Sequence, residues 1–248
     1  MTKKVLGVIP ARYKSSRFPG KPLIKLDGIP MIIHVCRIVE KALGKENTYV
    51  ATDNLVILNV VEKYGYNAVM TDKNCLTGTD RLWDFAQKKE ADIYINIQGD
   101  EPLLNYEDIR KIAEYKQMNM EYVINGMSDL TEMEDPHNIN IPKVLVNKEN
   151  DLIYMSRLPI PGIKDKGFPV YKKQVCIYGF SYNDLRLFGN QQDKSEFEKF
   201  EDIEILRFFD LNIPIKMVDT SGSSLAIDVP EDVEKVINEL RKRQEMNS

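Results

Sequence analysis

KVLGVIPARYKSSRFPGKPL, residues 4–23, decides how the chain is read. Its first six residues are an apolar run of the length of a buried strand. The remainder is a loop stiffened by Pro10, Pro19, Gly20 and Pro22 that carries Arg12, Lys14, Arg17 and Lys21. Just beyond it, Ile32, Val35, Cys36, Val39 and Leu43 fall on one face of a helix. A strand, a loop and a helix in that order open a βα unit. In open α/β sheets the loops at the carboxyl ends of the strands are where ligands bind. Cations clustered on such a loop suit a polyphosphate, because guanidinium and ammonium groups supply charged donors to phosphate oxygens. The same charges also fit a solvated basic loop. The loop is not a Walker A motif: Gly20-Lys21 is followed by Pro22 rather than Ser or Thr, and Ser15 stands where the first glycine belongs. It contains no GxGxxG either.

The alternation continues outward from this unit. Residues 48–51, 66–70 and 92–97 read as strands, and residues 55–64 and 80–88 as helices. Asn105 has the character of an N-cap, with Asp108 three positions on. Strands alternating with helices imply a mainly parallel sheet covered on both faces. The second half changes character. Residues 143–147 and 152–155 flank a polar turn, and 170–180 is a long strand. Residues 195–211 form an amphipathic stretch with Phe200, Ile203 and Leu206 on one face. A late strand at 215–218 and a closing helix at 231–244 complete the chain. The fold class expected is α/β, with a Rossmann-like mixed central sheet and an embedded antiparallel lobe. No Ser/Gly-rich linker divides it, so one domain is expected. Its nucleotide-binding half is about 1–125, the inserted lobe about 126–218, and a final loop and helix about 219–248.

Composition narrows the function. The 248 residues are 43% hydrophobic and 29% charged, with a formal net charge of −4. That balance is ordinary for a soluble globular chain and argues against a protein that coats nucleic acid, which usually brings a basic excess. Cys36, Cys75 and Cys176 lie far apart with no CxxC, and His34 and His137 are the only histidines, so no zinc spacing exists. A cytoplasmic setting is expected in the absence of a signal-like start or a disulfide framework. No apolar run approaches the roughly 18–20 residues of a membrane span. The longest, at 30–36, is interrupted by His34. Neither histidine is placed to act as a catalytic base; His34 belongs to an apolar helix face.

Two acidic loops complement the basic one. NIQGDEP, residues 96–102, follows an apolar strand directly, so Asp100 should emerge at the same carboxyl edge as the first loop. A carboxylate there can hold Mg²⁺ against phosphate oxygens, or it can simply shape a polar turn. AIDVPED, residues 226–232, sets Asp228 between apolar residues just before a helix. Spacing alone favours an N-cap for Asp228. If it faces Asp100, the two make a carboxylate metal site.

Taken together these segments resemble the 3-deoxy-D-manno-octulosonate (Kdo) cytidylyltransferases, or CMP-Kdo synthetases, nearly end to end. The segments that carry the resemblance are VIPARYKSSRFPGKPL (8–23), VATD (50–53), TGTDRL (77–82), NIQGDEP (96–102), YMSRLPIP (154–161), IYGF (177–180), the stretch 198–207 and IDVPEDVE (227–234). The resemblance implies transfer of CMP from CTP to Kdo with release of pyrophosphate, in lipopolysaccharide or capsule assembly. It implies that Arg12 and Lys21 contact the CTP phosphates, with Ala11 helping through its backbone. Asp100 and Asp228 would hold Mg²⁺ as the cofactor, and Gln98 would lie between nucleotide and sugar. Thr79 and Arg81 match residues near the cytosine, Arg157 the arginine near the sugar carboxylate, and Tyr178 and Glu204 residues of the sugar pocket. It also implies a homodimer formed through the inserted lobe. Phe188, Phe197 and Phe200 fit such an interface or an internal core equally.

Several departures fall on the acceptor side. Where the family usually reads KHxGIYGY, this chain has Gln174 for the histidine and Phe180 for the last tyrosine. Where it often reads Glu-Gln-Leu-Arg, this chain has Glu204-Ile205-Leu206-Arg207. A proline usual before residue 198 is missing, and residues 137–141 look expanded. Gln174 can donate a hydrogen bond to a carboxylate but cannot become cationic as a histidine can. The departures leave open a second acceptor: a related 2-keto-3-deoxy sugar acid, or a small phosphonate or phosphate. A non-catalytic nucleotide-binding protein on the same fold is the reading from a different class. Asp100, Asp228, Arg12 and Lys21, all present, argue against it.

Overall fold

The computed structural model describes residues 3–13, 18–165, 167, 169–191, 193–222, 224–227 and 229–245. Its first half runs β1 (Val5–Ala11), a small hairpin of β2 (Lys25–Leu26) and β3 (Ile29–Pro30), α1 (Met31–Leu43), β4 (Thr48–Thr52), α2 (Leu55–Lys63), β5 (Asn67–Met70), α3 (Gly78–Ala86), β6 (Ile93–Ile97) and α4 (Tyr106–Met118). Its second half runs β7 (Val123–Asp129), β8 (Lys143–Val146), β9 (Leu152–Ser156), β10 (Lys172–Ser181), α5 (Tyr182–Gly189), α6 (Glu196–Glu201), α7 (Leu206–Asp210), β11 (Ile215–Asp219) and α8 (Asp232–Glu245).

The main sheet has the order β11-β7-β10-β6-β1-β4-β5. β1 pairs in parallel with β4 and β6, and β5 extends the parallel set beyond β4. β10 lies antiparallel between β6 and β7, and β11 pairs in parallel with β7. The alternating first half forms the parallel part expected of it, and the sheet as a whole is the mixed one of the expected fold class. The antiparallel part is woven into it: only the β8–β9 hairpin leaves the main path, hanging from the start of β10 through Lys172↔Val144 and Lys173↔Lys143.

Side-chain alternation on the central strands explains the two cores. Ile93, Ile95 and Ile97 of β6 pack with Ile32, Val35 and Val39 of α1 and with Ile109 and Ile112 of α4. Tyr94, on the opposite face, packs with Leu82 and Phe85 of α3 and with Leu185 and Phe188 of α5. Each such side chain, fully buried, contributes about 1.5–3 kcal/mol relative to exposure. The helices start where local chemistry caps them. Asn54 accepts from Val56 N–H and Ile57 N–H, Asn105 accepts from Glu107 N–H, and capping boxes link Thr77 with Asp80 and Ser181 with Asp184. Among the described residues no helix is long and apolar enough to cross a membrane.

Three features differ from the sequence reading. β7 was not expected; its segment VINGMSD carries polar residues, yet Asn125 and Ser128 are buried. α5 was not expected either. The stretch 195–211 is not one helix: Asp202 takes a left-handed conformation, φ 49°, and separates α6 from α7. Arg157 holds that break by donating to the backbone oxygens of Glu201 and Asp202. The consequence is that Ile203 and Leu206 enter the core while Phe200 is 82% exposed. Phe188 is a core residue and Phe197 is partly exposed.

Candidate active site

The carboxyl edges of β1 and β6 build one side of the site. β1 ends by delivering Ala11 and Arg12; Lys14 and Arg17 lie outside the described residues. Gly20, at φ 72°, supplies the left-handed turn that leads into Lys21. Lys21 Nζ lies 2.6 Å from Asp100 Oδ2 and 2.7 Å from the carbonyl oxygen of Ile227. Asp100 follows β6 by way of Gln98 and Gly99. A Cβ on Gly99 would stand 3.1 Å from the Pro10 carbonyl oxygen, so glycine lets this turn close against β1.

The loop before α8 is drawn to the same edge. Ser221 N–H and Oγ–H donate to the carboxylate of Asp108 on α4, at 3.0 and 2.5 Å. Ile227 N–H donates to the Asp100 carbonyl at 3.0 Å. Asp228, the expected second carboxylate, lies outside the described residues. Among the described residues no group of three or more His, Cys, Asp or Glu side chains is arranged to hold a metal.

Two cavities meet here. One, of about 460 Å³, is lined by Pro10, Ala11, Arg12, Lys21, Gln98 and Asp100, and on its far wall by Thr77, Gly78 and Lys194. The other, of about 730 Å³, is lined by Arg157, Lys173, Gln174, Cys176 and Tyr178 among others. Gln98, Asp100, Asp202 and Glu204 border both.

Thr79 and Arg81 stand behind the wall of the smaller cavity. The Glu204 carboxylate accepts from Gly78 N–H, Thr79 N–H and Thr79 Oγ–H at 2.9, 2.8 and 2.7 Å. It thus occupies the start of α3, where the helix dipole favours a negative group. Arg81 is fully buried and pairs with Asp53 at 3.0 Å and with Thr71 Oγ1 at 2.5 Å. It ties α3 to the ends of β4 and β5, so the VATD and TGTDRL segments support one corner of the site together.

Arg157 and Lys173 are the cations among the described lining of the larger cavity, which also carries Glu101, Glu134, Asp202 and Glu204; Lys143 lies behind it. The Arg157 guanidinium donates to the backbone oxygens of Ile139 at 2.7 Å, Asp202 at 2.9 Å and Glu201. Lys143, fully buried, donates to the carbonyls of Asn138 at 2.9 Å and of Arg157. Neither side chain has a carboxylate ion-pair partner among the described residues. Burial pushes the Lys143 ammonium below its ordinary value, and the neighbouring Arg157 charge adds to that. Lys173 pairs instead with Glu134. Tyr178 is held protonated: burial raises its phenol well above the usual range, and Cys176 and Glu204 add to the rise. Phe180 stacks between Tyr178 and Phe208, at centroid distances of 5.9 and 5.3 Å. Ile205 is in the core and lines neither cavity. Those two departures therefore change the packing behind the site. Gln174 does face the larger cavity, and so do Asn138, Asn140 and Ile141 of the expanded segment.

The sequence reading did not single out Lys143, Lys194, Asp202, Glu134 or Asn125. A lysine inside the apolar strand KVLV was the available signal for Lys143. The others show only when segments distant in sequence are brought together.

Parallel strands delivering a cationic loop and a carboxylate to one edge, beside a second polar cavity, define a nucleotidyltransferase-type α/β protein. A family profile described as cytidylyltransferase matches residues 6–215. The 3-deoxy-manno-octulosonate cytidylyltransferase of Leptospira interrogans is 37% identical over 246 residues, covering 98% of each chain. That of Escherichia coli is 35% identical over 236 residues, covering 95% of each. A solved structure of CMP:2-keto-3-deoxy-manno-octonic acid synthetase complexed with CTP matches with a TM-score of 0.90 and 34% identity, over 97% of this chain and 99% of that one. The inositol-1-phosphate CTP transferase from T. maritima, at 16% identity and a TM-score of 0.65 over 96% of each chain, shares the fold. The chain belongs to the 3-deoxy-manno-octulosonate cytidylyltransferase family.

Proposed function

We propose that this protein transfers CMP from CTP to Kdo and releases pyrophosphate. One observation carries the reading. The cavity walled by Arg12 and Lys21 opens onto the cavity walled by Arg157, and Asp100 stands where the two meet. A triphosphate in the first and an acidic sugar in the second would bring an acceptor hydroxyl to the α-phosphorus at that junction.

The chain's groups divide the work. Arg12 and Lys21 bind the phosphates and offset the charge that grows on the departing pyrophosphate. Ala11 contributes backbone at the same edge. Gln98 borders both ligands. Thr79 and Arg81 hold the base end in shape, the first through Glu204 and the second through Asp53. Arg157 faces the acceptor carboxylate, with Tyr178 and Gln174 further along the wall. The acceptor oxygen attacks the α-phosphorus as the bond to the β-phosphate oxygen breaks, and holding the two in line supplies much of the rate.

Asp100 fits a Mg²⁺ site by its chemistry. It is a hard oxygen donor at the phosphate end, and in this structure its charge is answered by the Lys21 ammonium. Asp100 with Asp228 would hold the ion. When bound, Mg²⁺ neutralises phosphate charge and lowers the pKa of an oxygen it contacts.

We infer a homodimer as well. Tyr154, Phe197 and Phe209 form an aromatic cluster beside the exposed Phe200 on the side of the β8–β9 hairpin, which suits an apolar interface. A CTP-consuming reaction places the protein in the cytoplasm.

The test is pyrophosphate release from CTP and Mg²⁺ with a panel of acids: Kdo, other 2-keto-3-deoxy sugar acids, and small phosphonates and phosphates. Turnover with Kdo above the rest supports the assignment. Turnover confined to another acid overturns it.

A further inference from the structure

β10 bulges against β7 between Val175 and Tyr178. Asn125 on β7, fully buried, answers the bulge by donating both N–H groups of its amide, to the carbonyl of Val175 at 2.9 Å and to that of Ile177 at 3.0 Å. Those two bonds fix which end of the Asn125 amide is nitrogen. Its Oδ1 is therefore turned the other way and accepts from Gln174 Nε2 at 3.0 Å. The second amide is fixed in its turn: Gln174 must present nitrogen to Asn125, and Asn125 has no N–H left to give to Gln174 Oε1.

Gln174 lines the larger cavity. Its Oε1 and its second N–H have no protein partner among the described residues. An ionised carboxylate only accepts, so a carboxylate placed here could take the N–H but would leave Oε1 facing another acceptor. A hydroxyl both donates and accepts, and satisfies Oε1 directly. The carboxylate of the acceptor already has a cation in Arg157, which lines the same cavity.

We propose that Gln174, locked by Asn125, is a specificity-determining residue that reads a hydroxyl of the acceptor through its carbonyl oxygen. Gln174 remains an acceptor-binding residue in this reading, with a hydroxyl rather than the carboxylate as what it meets. It rests on the acceptor cavity assigned above, and Asn125 enters as a positioning residue.

The experiment compares wild type with Gln174→Met, which keeps the length and removes both polar atoms. The substrates are CTP with Kdo, with Kdo lacking single hydroxyl groups, and with the carboxamide of Kdo. The expected result is an acceptor KM about tenfold higher in the variant, or ~1.4 kcal/mol, with the KM for CTP unchanged. That difference should vanish for one deoxy analogue and persist for the carboxamide. A difference that vanishes for the carboxamide, or stays the same for every analogue, or is absent with Kdo itself, overturns the proposal. Gln174→Leu takes the place of Gln174→Met if the latter does not fold. Asn125→Ser should raise the acceptor KM alone and add nothing to Gln174→Met; a rise in both KM values overturns the positioning role. Wild type that does not turn over Kdo at all overturns the acceptor assignment, and this inference with it.

Discussion

Lys21 and Asp100 are joined at 2.6 Å although 79 positions separate them, and the same ammonium reaches the carbonyl of Ile227. One side chain thus gathers the first loop, the end of β6 and the loop before α8. The pair is only partly shielded, with side-chain exposures of 14% and 27%. Part-exposed pairs of this kind contribute little to stability, typically about 0–1 kcal/mol. Its weight is in charge: the lysine proposed above for phosphate and the carboxylate proposed above for Mg²⁺ neutralise each other here.

Asp100→Asn follows from this. The amide keeps the size and loses the charge. We expect kcat to fall by about 100-fold or more, the scale of losing an electrostatic group at a reacting centre. The melting temperature should move little, since Asp100 is not a core group. Kinetics with CTP, Kdo and Mg²⁺, together with a thermal melt, check both. Near-normal turnover in the variant would remove Asp100 from the reaction.

Arg157→Lys separates the two cavities. The guanidinium reaches three carbonyl oxygens at once, on residues 139, 201 and 202, and an ammonium has neither that reach nor a planar fork. The expected outcome is an acceptor KM raised at least about tenfold (~1.4 kcal/mol), with the KM for CTP within about twofold of wild type. Steady-state kinetics varying each substrate in turn measures the split. Equal changes in both would mean that Arg157 supports the whole junction rather than the acceptor side.

Much of this architecture is legible in the chain because buried parallel strands read as apolar runs and their helices as periodic faces. β1, β4, β5 and β6 appear that way, and so do the loops that end in Arg12 and Asp100. β7 escapes because Asn125 and Ser128 interrupt its pattern, and their burial makes sense only once β10 lies alongside. α5 does carry a local signal, since Ser181 with Asp184 three residues on forms a capping box. The break at Asp202 has no local signature, because what holds it is Arg157, from another segment. Buried charges are illegible for the same reason. Lys116 is satisfied by Asp184, 68 positions away, and by the carbonyls of Met120 and Tyr122.

His34 gives the fold a pH dependence with a definite sign. It is buried on α1 with Nε2 2.9 Å from the Leu26 carbonyl oxygen. Burial lowers its pKa below 6.5, against the opposing pull of the Leu26 carbonyl. The unfolded chain therefore binds a proton more readily than the folded one, so stability is fully present above about pH 6.5 and declines as pH falls toward the lowered folded value. Urea unfolding between pH 5 and 8 should show this decline, and His34→Gln should flatten it. A wild-type stability that rises on acidification through this range contradicts the assignment.

Arg207 is the group whose loss the fold should tolerate least. It is 1% exposed and forks onto Glu198 at 2.7 and 2.8 Å, while its third nitrogen holds Asp80 at 2.8 Å. Its guanidinium carbon sits 3.7 Å from the centre of the Phe188 ring. Removing the cation leaves Glu198, itself fully buried, without its partner. Breaking such a pair from one side costs about 3–5 kcal/mol, whereas replacing both ions by matched apolar groups can be nearly neutral. Arg207→Met should therefore lower the melting temperature by about 6–20 °C for a chain of this size. Arg207→Met with Glu198→Leu should recover part of that loss. Because Asp80 belongs to the capping box of α3, whose first turn walls the smaller cavity, the single variant should also raise the KM for CTP at temperatures where it remains folded. A melting temperature unchanged by Arg207→Met would show that the buried carboxylates are satisfied without the arginine.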